Sequence, residues 1–371
     1  MKFITKKNIT LLALLFSLMG VTYAAEDDPA LFLGKANARV AHATAFKKNW
    51  DGPTAGPKLA QNKLLVFIGA DLAGDSSQQK LANLVKEVGA TVEWNVQTMD
   101  CYGVPSRRAE SFSRALALKP AAIIFAGADA KVEAKAIAMA AEKKVPVIGW
   151  HAALATGPGD GLFTNIGTDP KEAGQLAAQL SVVDSKAKAG VVILSDASSV
   201  NLATKSLGMI ETIKQCQTCA LLTVEQVASN EKPEQIVTRL AALDKQFGPK
   251  MTYVLATNDR FFDGLSAPGA ANAFGGEIKF QTIAAGFGSV NAYTRIHGKK
   301  IQLGTVAEPL SMQAWQLIDE ANRAIAGDKP SGYSPEPYLV TIQNIAYHGG
   351  QNNTFDPLNG YQDAYKKIWG R

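Results

Sequence analysis

From residue 63 onward the chain alternates between short apolar runs and longer amphipathic stretches. Runs of strand length cover residues 64–69, 91–96, 121–125 and 145–149. Between them lie segments of helical period. Residues 75–88 put Leu81, Leu84, Val85 and Val88 on one face, and Gly89 closes the segment. Residues 106–118 stop at Lys119-Pro120, and residues 130–143 are alanine-rich, which favours helix. Continuously apolar strands separated by helices predict βαβ units and a parallel sheet covered on both faces.

The same alternation then starts again. A helix opens at Asp169, with Pro170 at its first position and Glu172 placed to reach back as a capping box. Ala173, Leu176, Ala177, Leu180 and Val183 form its apolar stripe. Strands are predicted at 190–194, 221–227, 253–257, 282–286 and 301–306. Helices are predicted at 199–215, 233–247, 260–273 and 310–326. The fold class is therefore α/β, with two doubly wound parallel-sheet lobes in succession. Such sheets bind ligands beyond the carboxyl ends of their strands. With two lobes facing each other, the expected site is the cleft between them.

The start of the chain has a different pattern. Lys2, Lys6 and Lys7 precede an apolar run from Leu11 to Val21, and Thr22-Tyr23-Ala24 offers a small residue for cleavage. A charged head, short apolar core and small residue describe a secretory signal peptide. The core is too short to span a membrane, which takes about 20 residues. The mature chain is expected to begin near Ala25 and to work in the periplasm. Residues 26–60, punctuated by Pro29, Gly52-Pro53 and Gly56-Pro57, look like an adaptor with one helix between Gly34 and Lys48.

Charge narrows the partners. The net formal charge is +5, and removing three lysines and no acid with the signal peptide leaves +2. A near-neutral chain gives no reason to expect a nucleic-acid partner. A hydrophobic content of 47% describes an ordinary globular core.

The residues just after each strand are the candidates for chemistry. After the first strand, Asp71 either accepts hydrogen bonds from ligand hydroxyls or caps the next helix. After the fourth come Trp150, suited to stacking on a sugar ring or to packing under its loop, and His151. After 253–257 come Asn258 and Asp259, an amide and a carboxylate that suit a polyol, with Asp259 mostly ordering the turn. Phe287 offers an aromatic wall. Glu308 either accepts from the ligand or forms a hinge salt bridge, and Lys205 lies in the helix after Asp196.

No Gly-x-Ser-x-Gly elbow, His-Glu-x-x-His or Cys–His pairing is present, so no catalytic residue, metal or cofactor is expected. Cys216 and Cys219 form a C-x-x-C after a helix and before a strand. A redox motif would sit at a helix N-terminus, and zinc would need two more ligands. The expected state is a local disulfide, leaving Cys101 unpaired.

In order and spacing, several segments resemble the type I solute-binding proteins of ABC importers, the ribose/galactose group. They are Leu64–Gly69, Lys119-Pro120-Ala121-Ala122-Ile123-Ile124, Lys144-Val145-Pro146-Val147-Ile148, Thr168-Asp169-Pro170 with Gly174, Ala256-Thr257-Asn258-Asp259 and Ala285-Gly286-Phe287. The resemblance covers residues 63–345. It implies a type I periplasmic-binding-protein fold and no enzyme activity. It implies a monomer that captures a sugar-like small molecule between two closing lobes and delivers it to the membrane permease of an ABC importer. The chain would cross between lobes near residues 164–168, 305–308 and 327–332. The implied domains are a signal peptide (1–24), an extension (25–62), lobe 1 (63–165 plus 307–328), lobe 2 (166–306 plus 329–347) and a tail (348–371). The chain departs from many sugar binders at Gly288, where they carry Asp, at His151-Ala152, where they carry Asp-Arg, and at Lys205, where Arg is expected. An exported sensor presenting its ligand to a chemotaxis or signalling receptor would have the same cleft.

Overall fold

A computed structural model describes residues 28–228, 230–347 and 352–371. The signal peptide expected at 1–24 and its cleavage point lie outside these residues. The first sheet is built from β1 (Leu64–Gly69), β2 (Asn95–Asp100), β3 (Ala122–Ala126), β4 (Val147–Trp150), β5 (Gly157–Gly159) and β6 (Leu162–Ile166). Its order is β2-β1-β3-β4-β6-β5, with all pairs parallel except β5–β6. Helices α2 (Ser76–Thr91), α3 (Pro105–Ala117) and α4 (Ala134–Glu142) connect its strands.

The second sheet holds β7 (Gly190–Ser195), β8 (Ala220–Gln226), β9 (Tyr253–Ala256), β10 (Gln281–Ala284), β11 (Gln302–Ala307) and β12 (Tyr338–Thr341). Its order is β12-β11-β10-β9-β7-β8, and only β11–β12 is antiparallel. Its helices are α5 (Pro170–Asp184), α6 (Val200–Gln215), α7 (Pro233–Phe247) and α8 (Val290–His297). The long α9 (Leu310–Ala326) returns to the first sheet, packing on α2 and β6. The chain therefore passes between sheets at residues 167–169, 308–309 and 327–337.

Burial follows the apolar runs. Within β1, β3 and β7 nearly every residue is buried, as a strand covered on both faces requires. Helices α5 and α6 pack backbone to backbone. A Cβ on Gly174 would collide with the carbonyl of Lys205, and one on Gly208 with the carbonyl of Lys171. This close approach fixes where α6 presents its first turns.

Several expectations are corrected. The strand expected at 91–96 is Asn95–Asp100, because α2 runs on to Thr91. Trp94 turns into the core and donates to the carbonyl of Ala60 at 2.7 Å. The strand itself is the polar edge of its sheet, where few apolar residues are needed. The helix expected at 260–273 is two 3₁₀ segments, Asp259–Ser266 and Ala270–Phe274, interrupted where Pro268-Gly269 cannot continue a helix. The adaptor helix is α1 (Pro29–Thr44), opened by Asp28 as cap and Pro29, earlier than expected. Asp169 caps α5 through Lys171 and Glu172 backbone N–H groups. Glu172 does not complete a capping box with its own side chain but pairs with Arg39 of α1 at 2.9 Å.

The terminal segments are integral to the two cores. Phe32, Ala36, Val40 and Ala43 of α1 join the core around α5 and α6. The last helix, α10 (Tyr361–Trp369), joins the core of the first sheet, where Trp369 stacks on Trp315 at 5.3 Å with planes 3° apart.

Candidate functional site

The carboxyl ends of β4, β7, β10 and β11 converge between the two sheets. Trp150 ends β4, and its indole N–H donates to Oε1 of Gln313 on α9 at 2.9 Å. His151 follows with φ of 49°, a left-handed conformation that a non-glycine residue adopts at a cost. That turn aims the imidazole at the 308–309 crossover, where Nε2 meets Oε2 of Glu308 at 2.8 Å. Behind this turn, Asn165 of β6 braces the loop. Its Oδ1 accepts from Ala152 N–H at 2.9 Å, and its Nδ2 donates to the carbonyls of Ala153 and Ala155.

Glu308 is only 3% exposed and is surrounded by donors. Besides His151, its Oε2 accepts from Gln313 Nε2 at 2.8 Å and its Oε1 from Thr168 Oγ1 at 2.8 Å. Burial pushes its carboxyl up. The charge and hydrogen bond of His151, the Lys205 charge and the Gln313 hydrogen bond outweigh burial and hold it at about 2. Glu308 is thereby paired with His151 at the crossover.

The second sheet contributes α6 and the loop after β10. Lys205 is 2% exposed, with Nζ 2.7 Å from the carbonyl of Ala285 and 4.2 Å from the centre of the Phe287 ring. Burial lowers its pKa, opposed by the charges of Glu308, Asp259 and Asp75. One turn earlier on α6, Asn201 Nδ2 donates across the interface to the carbonyl of His151 at 2.9 Å. Its Oδ1 is buried with no hydrogen-bond partner. Phe287 closes the aromatic side, 5.8 Å from Trp150 and 5.4 Å from His151.

Five of the candidate residues thus meet in one cluster: Trp150, His151, Lys205, Phe287 and Glu308. Asp259 stands behind it, 1% exposed. Its carboxylate accepts from Gly288 N–H at 3.0 Å and from Gln302 Nε2 at 2.9 Å, so it orders the turn before Gly288. Gly288 itself has φ of 79°, and a Cβ there would meet Tyr293. Asp71 and Asn258 are engaged locally. Asp71 accepts from Gly74 N–H at 2.9 Å, and Asn258 accepts from Arg260 N–H at 3.1 Å as cap of the 3₁₀ turn. The sequence reading missed Asn201, Gln313 and Thr168. Asn201 was accessible as the residue one helical turn before Lys205. Gln313 carries no sequence signal, because its role depends on the chain returning to the first sheet.

Among the described residues, no group of three or more His, Cys, Asp or Glu side chains is arranged to hold a metal ion. Cys216 and Cys219 are disulfide-bonded with Cα atoms 5.3 Å apart, and Cys101 is a free, buried thiol. The disulfide lies at the far end of α6 from Asn201. Fifteen residues at about 1.5 Å each put it roughly 20 Å from the cluster.

The myo-inositol-binding protein of Caulobacter, bound to myo-inositol, is 21% identical with a TM-score of 0.66, over 78% of this chain and 97% of its own. A carbohydrate transporter solute-binding protein of Agrobacterium radiobacter, in complex with D-arabinose, is 19% identical with a TM-score of 0.64, over 78% and 98%. The arabinose-binding component from Shewanella sp. ANA-3, bound to arabinofuranose, is 12% identical with a TM-score of 0.65, over 82% and 95%. At such identities these structures speak for the fold. Among curated proteins, none matches the chain in sequence. A family model described as a periplasmic binding protein domain matches residues 69–329. The chain, with two parallel-sheet lobes and strand ends converging on one cluster, belongs to the periplasmic binding protein domain family.

Proposed function

We propose that this protein captures a sugar-like small molecule, such as a neutral sugar or cyclitol, between its two lobes and delivers it to the membrane permease of an ABC importer. The observation that carries the proposal is the cluster at the strand ends. It sets an aromatic pair, Trp150 and Phe287, beside a buried cation, Lys205, and a buried acceptor without a partner, Asn201 Oδ1. Apolar ring faces with both donors and acceptors at their edge match a polyol, whose C–H faces stack while its hydroxyls need both kinds of partner. Similar structures holding myo-inositol or arabinose support the same ligand class. The lysine-headed apolar leader supports export to the periplasm.

In this reading the ligand-facing set is Trp150, His151, Lys205, Phe287 and Glu308, joined by Asn201. Asp71 and Asn258 shape the rim, and Asp259 orders the turn behind the cluster. Lobe 1 comprises residues 63–165 plus 307–328, and lobe 2 residues 166–306 plus 329–347. Closure over a ligand is a population shift, because a molecule touching both lobes stabilises only the closed arrangement. The protein binds without turning over its ligand. A thermal-shift screen of sugars, cyclitols and amino acids tests this. A ligand that binds only the folded state stabilises it by about 2.7 kcal/mol at 100 times its dissociation constant. A sugar or cyclitol that raises the melting temperature supports the reading. A response confined to amino acids or to nothing in the panel counts against it.

A further inference from the structure

Beyond the three crossovers, the structure carries the chain across the hinge twice more. The first extra crossing is in the N-terminal segment. α1 is packed in the second lobe, and just past it Lys47 Nζ reaches Glu336 at 2.6 Å while His42 reaches the same carboxylate at 2.8 Å. At the hinge, Trp50 lies 5.1 Å from Tyr333 of the 327–337 crossover and 5.3 Å from Tyr365 of α10. Tyr333 also donates to Asp51 at 2.9 Å. Beyond this point the segment lies on the first lobe. Arg323 donates to the carbonyl of Ala55, and Asn322 bonds to Pro57 and Ala60.

The second extra crossing is in the C-terminal segment and is tighter. Phe355 stacks on Tyr338 of β12 in the second lobe, with centroids 4.4 Å apart and planes within 5°. The adjacent Thr354 accepts from Lys80 of α2 in the first lobe at 2.6 Å. Consecutive Cα atoms are about 3.8 Å apart, so two neighbouring residues are anchored to opposite lobes with almost no slack between the anchors. The chain then continues into α10 and the Trp315–Trp369 stack of the first lobe.

We propose that these two terminal segments are hinge straps and that the C-terminal one limits how far the lobes open. The N-terminal strap has enough chain to follow a wide opening, since ten extended residues span about 35 Å. Its Trp50–Tyr333–Tyr365 packing lies on the first-lobe core and moves with that lobe, so the N-terminal strap follows the opening rather than limiting it. The C-terminal strap restrains directly, because opening must break either the Phe355 stack or the Thr354–Lys80 bond. The consequence is a ligand-free protein poised near closure, which lowers the cost of reaching the binding-competent state. The inference rests on two lobes that open and close, as in the proposed function, but not on what they bind.

The test uses the ligand-free full chain with nitroxide labels on Val132→Cys and Val290→Cys. Both positions are exposed, one on each lobe, and Cys101 is buried. Pulsed electron-spin distance measurements then compare the labelled parent with Lys80→Met, Phe355→Ala and Arg39→Ala. Lys80→Met keeps an apolar stem in place and guards against loss of folding. Arg39 pairs with Glu172 within the second lobe and serves as control. The straps predict a new longer-distance population in Lys80→Met and Phe355→Ala and none in Arg39→Ala, all with cooperative melting. Distances unchanged in both strap variants would overturn the proposal. No ligand is used, so this outcome stands apart from the ligand screen.

Discussion

His151 and Glu308, 157 positions apart, meet at 2.8 Å where the end of β4 faces the second crossover. The left-handed turn at His151 and the three donors around Glu308 make this contact a junction between the first lobe and the hinge. Its consequences can be measured.

Glu308 titrates at about 2 in the folded chain, below its ordinary value of 4.5. A depressed carboxyl stabilises the fold above the unfolded pKa and loses that contribution as pH falls through the folded one. Between pH 4.5 and 2 the parent melting temperature should therefore fall more steeply than that of Glu308→Gln. Scanning calorimetry across this window checks it, and parallel slopes would argue against the junction.

Gln313 holds Trp150 with one end of its amide and Glu308 with the other. Gln313→Leu leaves the buried Trp150 indole N–H unpaired and removes one of the three donors on Glu308. The expected loss is about 1–3 kcal/mol, read by urea unfolding. A variant as stable as the parent would show that neither bond contributes.

Trp369 ties the last helix to the first lobe through Trp315, and its indole N–H donates to Asp319 at 2.8 Å. Trp369→Ala should cost about 3–5 kcal/mol, the range for emptying a buried aromatic site. Denaturant titration decides, and a loss under 1 kcal/mol would mean that the tail merely rests on the lobe.

The two-lobe architecture was readable because buried parallel strands are written as unbroken apolar runs, as in Leu64–Gly69 and Gly190–Ser195. Edge elements were not. β2 (Asn95–Asp100) and β5 (Gly157–Gly159) have little apolar character, since one side of each has no neighbour to cover. In the site, Trp150, His151, Phe287 and Glu308 could be found because each follows a strand. Gln313 could not be ranked among other polar helix residues, whereas Asn201 stands one helical turn before Lys205. Asn201 matters through its bond to the His151 carbonyl on the other lobe, and Gln313 through the return of α9 to the first sheet; no local pattern encodes either contact. The terminal straps were hidden for the same reason. Trp50, Thr354 and Phe355 gain meaning only once the lobes are in place.

The cysteines make a chemical prediction. Unreduced, denatured protein should yield one titratable thiol, and reduced protein three. Burial raises the Cys101 thiol pKa, so native protein should react slowly with alkylating reagents at pH 8. Cys216→Ser should leave ligand binding unchanged, given the distance of the disulfide from the cluster. Its effect on stability should be modest, because the bridge closes a very short loop. Thiol counting by mass spectrometry reads the first two outcomes, and three free thiols before reduction would refute the bridge.

The most direct test of a ligand site between the lobes is a calorimetric titration of a neutral sugar or cyclitol identified by thermal shift. It should be run on the parent and on Lys205→Met. The variant removes the buried ammonium but keeps an apolar side chain over Phe287. The expected result is one-site binding in the parent and at least about tenfold weaker binding in Lys205→Met, or 1.4 kcal/mol. Equal affinity in two comparably stable proteins would contradict a ligand held by this cluster.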